Sequence, residues 1–202
     1  MTDPGRGVLW GVTLVAAALF FVGLGQAPFV DPSEGMHAEI AREMARLGDW
    51  VTPHFNQIRY FDKPPLLYWL MAAGFGLVGP SEWAARFWSA LAAFGAVVLT
   101  ARLGTILGSA RLGLVAGLVL AANLEFFLFA RYVRPDLIFV FLILLGFTGF
   151  ILAYRGAGRW ALLLCYGALS LAVLAKDILG ALGPFAIIAL FFFLTRERQV
   201  RA

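Results

Sequence analysis

Long apolar runs constrain this chain more than anything else in it. Trp83–Leu107, Leu112–Ala130, Leu137–Tyr154 and Trp160–Leu194 are each almost free of charge, and a membrane-crossing helix needs about 20 mostly apolar residues. Of the 202 residues 61% are hydrophobic and 14% charged, against roughly 45–50% and about 25% in an average soluble domain. A globule of this size buries far less apolar surface than that, so a soluble domain, a disordered chain and a disulfide scaffold are excluded. The single cysteine, Cys165 in LLLCYG, makes no internal disulfide and no cysteine metal cluster. The net charge of +4 does not point to nucleic acid, because the basic residues are scattered between apolar runs, as basic loops on one side of a bilayer are. The chain reads as an all-α, polytopic transmembrane helix bundle.

The first span is expected over residues 8–26, behind Arg6. Its 17 apolar residues from Val8 to Leu24 exceed a signal-peptide core of about 7–15, so it reads as a retained anchor. The last run, 35 residues long, would make a helix of about 52 Å against a hydrocarbon layer of roughly 30 Å. It is broken once, at Lys176-Asp177, which predicts two helices joined by a turn sunk in a cavity, where charge and irregular backbone are tolerated. Pro64–Gly79, 16 residues long, decides the topology. If it does not cross, Arg6, Arg102, Arg111, Arg155, Arg159, Arg196, Arg198 and Arg201 share one side. The positive-inside rule makes that side cytoplasmic. Pro64–Gly79 is then a re-entrant or interfacial helix within an external loop over residues 28–80, and residues 83–194 hold the remaining spans, about six in total. This places Glu34, Asp62, Lys63, Arg131, Arg134, Asp136, Lys176 and Asp177 on one external face. Most would collect in any loop, but Asp136 and Lys176 border or interrupt apolar runs, where ionisable groups are costly and usually functional.

The polar segment 28–63 carries Asp31, Glu34, Glu39, Glu43, Asp49 and Asp62. Ser33 is the expected helix N-cap, with Glu34 in the first turn, where the helix dipole favours a carboxylate. Met36, Ile40, Met44 and Leu47 form an apolar stripe of helical period, and Gly48 is the expected stop. Such an amphipathic helix lies along a membrane surface. Glu34 and His37, three apart, share a face and either line a site together or form an ordinary exposed pair. His37 and His54 are 17 residues apart and give no metal-binding spacing. In Tyr60-Phe61-Asp62-Lys63-Pro64-Pro65 the prolines fix the chain direction and hold Lys63 at the lip of the next apolar helix. That lysine either meets a lipid phosphate or pairs with Asp62 at the surface.

EGMHAEIAREM, GDWVTPHFN and IRYFDKPPLLYWL together resemble the first external loop of the C-type glycosyltransferases, in the bacterial lipid A aminoarabinose transferase and protein mannosyltransferase-like group. The likeness continues through SEWAARFWSALAA and ARYVRPDL, and more weakly through LAVLAKDILG. DKPPLLYW is its most specific part. The resemblance implies an inverting membrane enzyme that moves a sugar from a polyprenyl-phosphate carrier to an acceptor hydroxyl on lipid A, protein or cell-envelope glycan, at the external face of the cell membrane. It implies catalytic roles for Glu34 and Asp136, and contacts from Lys63 and Lys176 to the donor phosphate. Asp62 matches a family acid beside a metal site, and His37, Asp62 and Tyr60 are candidate acceptor contacts or site lining. No cofactor is assigned and a divalent metal is left open. Ser33 stands where the family carries the first acid of an Asp-Glu pair, Met36-His37 replaces Arg-Tyr, and Asp177 replaces a glycine.

The residue types suit that chemistry. Displacing a phosphate from an anomeric carbon builds negative charge on the leaving oxygen, which fixed cations stabilise, and a carboxylate taking the acceptor proton is worth roughly 10²–10⁴-fold. Phe126, Phe127, Phe129 and Tyr132 are candidates to wall the isoprenoid tail, or simply pack. No nucleotide-binding glycine motif is present. A rival reading, a transporter or proton-relay subunit using Glu125, Asp136 and Lys176, calls for mid-span charges and an internal repeat; no repeat is evident and the charges gather at one face. A second is a non-catalytic truncated fragment, since family members carry further spans and a soluble C-terminal domain whereas this chain stops after RERQVRA.

Overall fold

Among the described residues, 4–195, the computed structural model forms nine helices and one two-stranded hairpin. The side chain of Arg6, and Arg196, Arg198 and Arg201, lie outside the described part, so their expected place on the basic side is left as read from the sequence.

Helix α1 (Pro4–Phe21) runs up to the end of the bundle called here the mouth, and α4 (Glu82–Leu107) starts there and runs back. The proof is Arg86, one turn into α4, whose guanidinium donates to the carbonyls of Leu24, Ala27 and Pro28 just beyond α1. Everything between these two helices therefore leaves from the mouth and returns to it, including α2 (Pro32–Leu47) and α3 (Leu66–Val78). The segment 64–79 lies between α2 and α4 on that side of the bundle. Helix α3 packs against α2, α4 and α8 (Arg159–Ala175), with Gly74 over the Ala84 carbonyl and Trp88.

Return passes follow. Helix α5 (Ala110–Ala122) climbs back along α4, with Gly104 set against Gly113. At Asn123 the chain bends by 67° into α6 (Leu124–Ala130), whose first turn Asn123 caps by accepting from the Phe126 N–H at 2.9 Å. Helix α7 (Asp136–Tyr154) descends, α8 ascends, and α9 (Leu179–Thr195) descends again. Phe150 on α7 meets Phe191 and Phe192 near the foot of α9. The expected break at Lys176-Asp177 is there: Lys176 ends α8. Opposite the mouth, Arg155 donates to the Ile106 carbonyl at 3.1 Å.

By length and composition α4 and α7 can each cross a membrane, the bent α5–α6 pair adds a third if it is counted as one span, and Leu9–Phe21, α3, α8 and α9 are shorter apolar helices. About six spans were expected; the count that length alone supports is smaller, because α8 and α9, with 17 residues each, rise only about 26 Å. The chain is a multi-pass membrane protein with an all-α fold.

Small residues let the helices approach closely, as packing inside a bilayer requires. A Cβ added at Gly149 of α7 would lie 2.6 Å from the Cys165 nitrogen of α8, so Cys165 is buried by a helix seam.

Two local expectations are corrected. The N-cap of α2 is Asp31, not Ser33: Pro32 takes the first helical position and the Ser33 N–H donates to Asp31 Oδ1 at 2.8 Å. Proline lacks an N–H and has a helical φ already, which moves the cap back to the residue before it. The loop after α2 also contains a hairpin, His54–Phe55 against Ile58–Arg59, turned by Asn56 and Gln57 at positive φ of 51° and 68°, the geometry of the tight turns that match strand twist.

Candidate donor and acceptor site

Glu34 is fully buried and closed. Its Oε1 accepts from Arg86 Nε and its Oε2 from Arg86 Nη2, both at 2.9 Å, and Oε1 also accepts from the Val133 N–H at 3.1 Å. It shows 0% of its surface to solvent. The carboxylate expected to act on the acceptor instead joins α2, α4 and the loop before α7, and no lone pair is left facing outward. Arg86, not singled out in the sequence, is the other half of this anchor. Its one signal was an arginine placed a turn inside an apolar run.

Asp31 makes a second tie across the mouth, accepting from Arg134 Nη2 at 2.8 Å. The Ser33 backbone and side chain, and then the Arg134 guanidinium, hold its carboxyl down at about 2. Arg134 also lies over the Phe129 ring, and Arg131 lies over Phe127 while donating to the Leu19, Phe20 and Val22 carbonyls that end α1. Phe126, Phe127 and Phe129 are thus engaged in packing and in covering arginines: Phe126 itself stacks edgewise on Phe20. Glu125 stands exposed in the first turn of α6.

His37, Tyr60, Asp62 and Lys63 come together. The His37 Nδ1 is 3.1 Å from the hydroxyl of Tyr68, a fully buried α3 residue that the sequence reading passed over. The Tyr68 ring meets the Tyr60 ring edge to face, centroids 6.4 Å apart, and the Tyr60 hydroxyl donates to Asp62 Oδ2 at 3.1 Å. Lys63 Nζ lies 3.4 Å from the same oxygen. Burial, then the nearby positive charges of Arg134 and Lys63, push the His37 imidazole below its ordinary value, so it is a neutral ring. Burial and the bond to Asp62 raise Tyr60, keeping its proton on.

Asp136 and Lys176 form the other charged pair, at 2.6 Å, with the ammonium over the Phe139 ring. Below this end of the bundle lies an apolar cavity of about 440 Å³ whose walls include Leu66, Leu70, Trp88, Ile138, Phe141 and Leu171. Leu66 follows Lys63 by three residues, Ile138 follows Asp136 by two, and Leu171 precedes Lys176 by five. The helix that follows Lys63, the one that Asp136 opens and the one that Lys176 ends therefore all contribute to its wall. Among the described residues no three His, Cys, Asp or Glu side chains converge where a metal ion could be held. Asp62, matched to a family acid beside a metal site, has the Lys63 ammonium as its charged neighbour.

Residues 29–199 match the dolichyl-phosphate-mannose-protein mannosyltransferase family, PMT. The chain belongs to that family. Among its relatives, the undecaprenyl phosphate-alpha-4-amino-4-deoxy-L-arabinose arabinosyl transferase of Pseudomonas paraeruginosa is 33% identical over 94% of this chain and 35% of its own length. The enzyme of the same name from Aeromonas salmonicida is 42% identical over 41% of this chain and 15% of its own length, and an uncharacterised protein of Aquifex aeolicus is 30% identical over 94% of the chain and 38% of its own length. ArnT from Cupriavidus metallidurans in the apo state superposes with a TM-score of 0.86 at 27% identity, over 96% of this chain and 37% of that one. The same protein bound to undecaprenyl phosphate gives 0.85 at 28% identity, over 94% and 36%. The chain thus spans little more than a third of the longer proteins it matches along most of its length.

Proposed function

We propose that this chain provides the charged mouth of a membrane glycosyltransferase that moves a sugar from a polyprenyl-phosphate carrier to an acceptor hydroxyl. The observation that carries the reading is that α3, which follows Lys63, α7, which Asp136 opens, and α8, which Lys176 ends, together wall one apolar cavity. An amphiphile with an isoprenoid tail and a phosphate head has that division of chemistry. In this reading the cavity takes the first isoprene units and the two ammonium groups meet the phosphate, Lys176 by exchanging Asp136 for it. The acceptor oxygen attacks the anomeric carbon from the face opposite the phosphate, the bond to the phosphate oxygen breaks, and the configuration inverts. The cations neutralise the charge that grows on the leaving oxygen.

Glu34 has no part in proton transfer here; it holds the loop that carries the reacting groups. Asp136 keeps Lys176 in place between turnovers. The named relatives and the ArnT structure bound to undecaprenyl phosphate support a lipid-phosphate donor. An amino-arabinosyl group is the first sugar to test, with lipid A as acceptor before protein or glycan. The mouth faces the outside of the cell membrane and the N-terminus the cytoplasm, which the arginines at the opposite end support.

The test is transfer of labelled sugar from undecaprenyl phosphate in membranes holding the full chain. Lys63→Ala is expected to abolish it, and Lys63→Arg to retain a fraction through its charge. Unimpaired transfer by Lys63→Ala would remove that lysine from the phosphate site.

A further inference from the structure

Of the three arginines that tie the mouth together, Arg86 is paired with Glu34 and Arg134 with Asp31. Arg131 has no carboxylate partner among the described residues. Its side-chain hydrogen bonds all leave from Nη1, to the carbonyls of Leu19, Phe20 and Val22. A guanidinium carries five N–H donors, so the Nε–H and both Nη2–H groups are uncommitted. The Phe127 ring, 5.7 Å from Cζ, backs the group while the α1 carbonyls hold one end of it. What remains is the Nε–Nη2 edge, a fork that takes two oxygens of one anion side by side. Beside it lies a cavity of about 200 Å³ whose walls include Gly23, Val30, Leu128 and Tyr132 as well as Arg86 and Arg131. Gly23 keeps this edge open, since a Cβ there would stand 3.7 Å from Arg131 Nη2 and 3.0 Å from Gln26 Oε1. Arg86 spends its donors on Glu34 and three carbonyls, so the free charge at this cavity is that of Arg131.

We propose that the Arg131 edge and the exposed face of α6 hold an anionic two-tailed phospholipid from the half of the bilayer at the mouth, its phosphate on the guanidinium and its acyl chains along Leu128 and Leu124. Leu124, Leu128 and Arg131 stand at i, i+4 and i+7 on one side of α6, and the two leucines are 70% and 43% exposed. Val22, whose carbonyl Arg131 holds, is 71% exposed. Because α6 runs from the bend at Asn123 toward the mouth, this face is apolar at depth and cationic at the rim, the order of a lipid's tail and head. The cavity is smaller than the roughly 300–1,000 Å³ that encloses a drug-sized molecule, which suits a headgroup with its chains outside. The unpaired guanidinium selects an anion, and the exposed leucines select a lipid over a soluble phosphate. Glu125, the acid of α6, lies about 9 Å back along the axis from Arg131 and leaves the fork unopposed. The apolar cavity assigned to the sugar carrier shares no wall residue with this one, so the site stands whether or not the chain transfers a sugar. A lipid held here bridges α6 and the end of α1 and stabilises the folded chain by mass action.

Native mass spectrometry and thermal melts of the full chain in detergent test it, with dioleoylphosphatidylglycerol, dioleoylphosphatidylcholine and inorganic phosphate added in turn. Phosphatidylglycerol is expected to stay bound and to raise Tm with concentration. Phosphatidylcholine, whose head carries its own cation, should bind more weakly, and inorganic phosphate should leave Tm unchanged. Arg131→Gln should weaken phosphatidylglycerol binding at least about tenfold, the worth of one charge-assisted hydrogen bond. If Arg131 served only to cap α1, its loss would lower the lipid-free Tm and leave the lipid-dependent rise intact, so that rise is the deciding quantity. Leu128→Glu, at an exposed position, sets a carboxylate on the lipid's path. It should weaken phosphatidylglycerol about as much with the lipid-free Tm unchanged, and it decides the matter where Arg131→Gln does not fold. Equal binding of the two lipids, or phosphatidylglycerol binding unaltered by either variant, overturns the site. An equal rise in Tm from inorganic phosphate overturns the lipid assignment. Displacement of phosphatidylglycerol by an equimolar amount of undecaprenyl phosphate overturns its separateness from the carrier cavity.

Discussion

At the residue scale the most consequential group is Arg86. A guanidinium has five N–H donors, and the five bonds made here go to two carboxylate oxygens and three carbonyls. Breaking a buried pair by removing one partner costs about 3–5 kcal/mol, because it strands the other charge. Arg86→Met should therefore destabilise the protein by that order, and the Glu34→Leu/Arg86→Met double variant should melt higher than Arg86→Met alone, since no naked carboxylate remains. Thermal melts in detergent decide it; a double variant that melts lower than the single would mean that the lost carbonyl bonds, not the stranded charge, dominate. Glu34 stood out in the sequence as an acid in a helix first turn, but its partner is 52 residues away. Nothing local separates an acid that will be sealed from one that will face substrate. Lys63, Asp62 and Tyr60 were legible together because two prolines hold them close in the chain, whereas Tyr68 looked like one more aromatic residue in LLYWL.

At the scale of elements, hydropathy located most helices because a bilayer rewards continuous apolar runs, and the turn at Lys176 was visible because charge interrupts one. The bend at Asn123 was not, since a single capping amide does not disturb the apolar average on either side of it. The hairpin was missed because Asn-Gln lacks the glycine that usually announces such a turn. Seams between helices are equally hidden in composition, and two glycines separate them. A Cβ at Gly149 would lie 2.6 Å from the Cys165 nitrogen and 2.8 Å from the Ala161 carbonyl oxygen, both rigid backbone, whereas one at Gly167 meets nothing within 4 Å. Gly149→Ala should force α7 and α8 apart and lower the melting temperature. Gly167→Ala should leave it unchanged or raise it slightly, by roughly the 0.5–1 kcal/mol that helical alanine gains over glycine. Equal effects at the two positions would mean that the seam yields without cost.

At the scale of the whole molecule, the bundle sorts its charges by end. Arg86, Arg131 and Arg134 fasten α1, α2 and the loop before α7 to one another at the mouth, and the Asp136–Lys176 pair joins the start of α7 to the turn after α8. At the opposite end Arg155 reaches Ile106, with Arg159 opening α8 nearby in the chain. Counting α4, the α5–α6 pair, α7 and α8 each as one crossing puts an even number between the loop at 61 and the turn at 177, and an odd number between either and 155. In a Cys165→Ala background, Phe61→Cys and Asp177→Cys should react with an impermeant maleimide added to intact cells. Arg155→Cys should react only after the membrane is opened. Phe61 is 77% exposed, so its labelling reports the side and not access. Labelling of positions 61 and 177 from different sides would place Lys63 and Lys176 across the bilayer from each other, and no single lipid phosphate could then meet both.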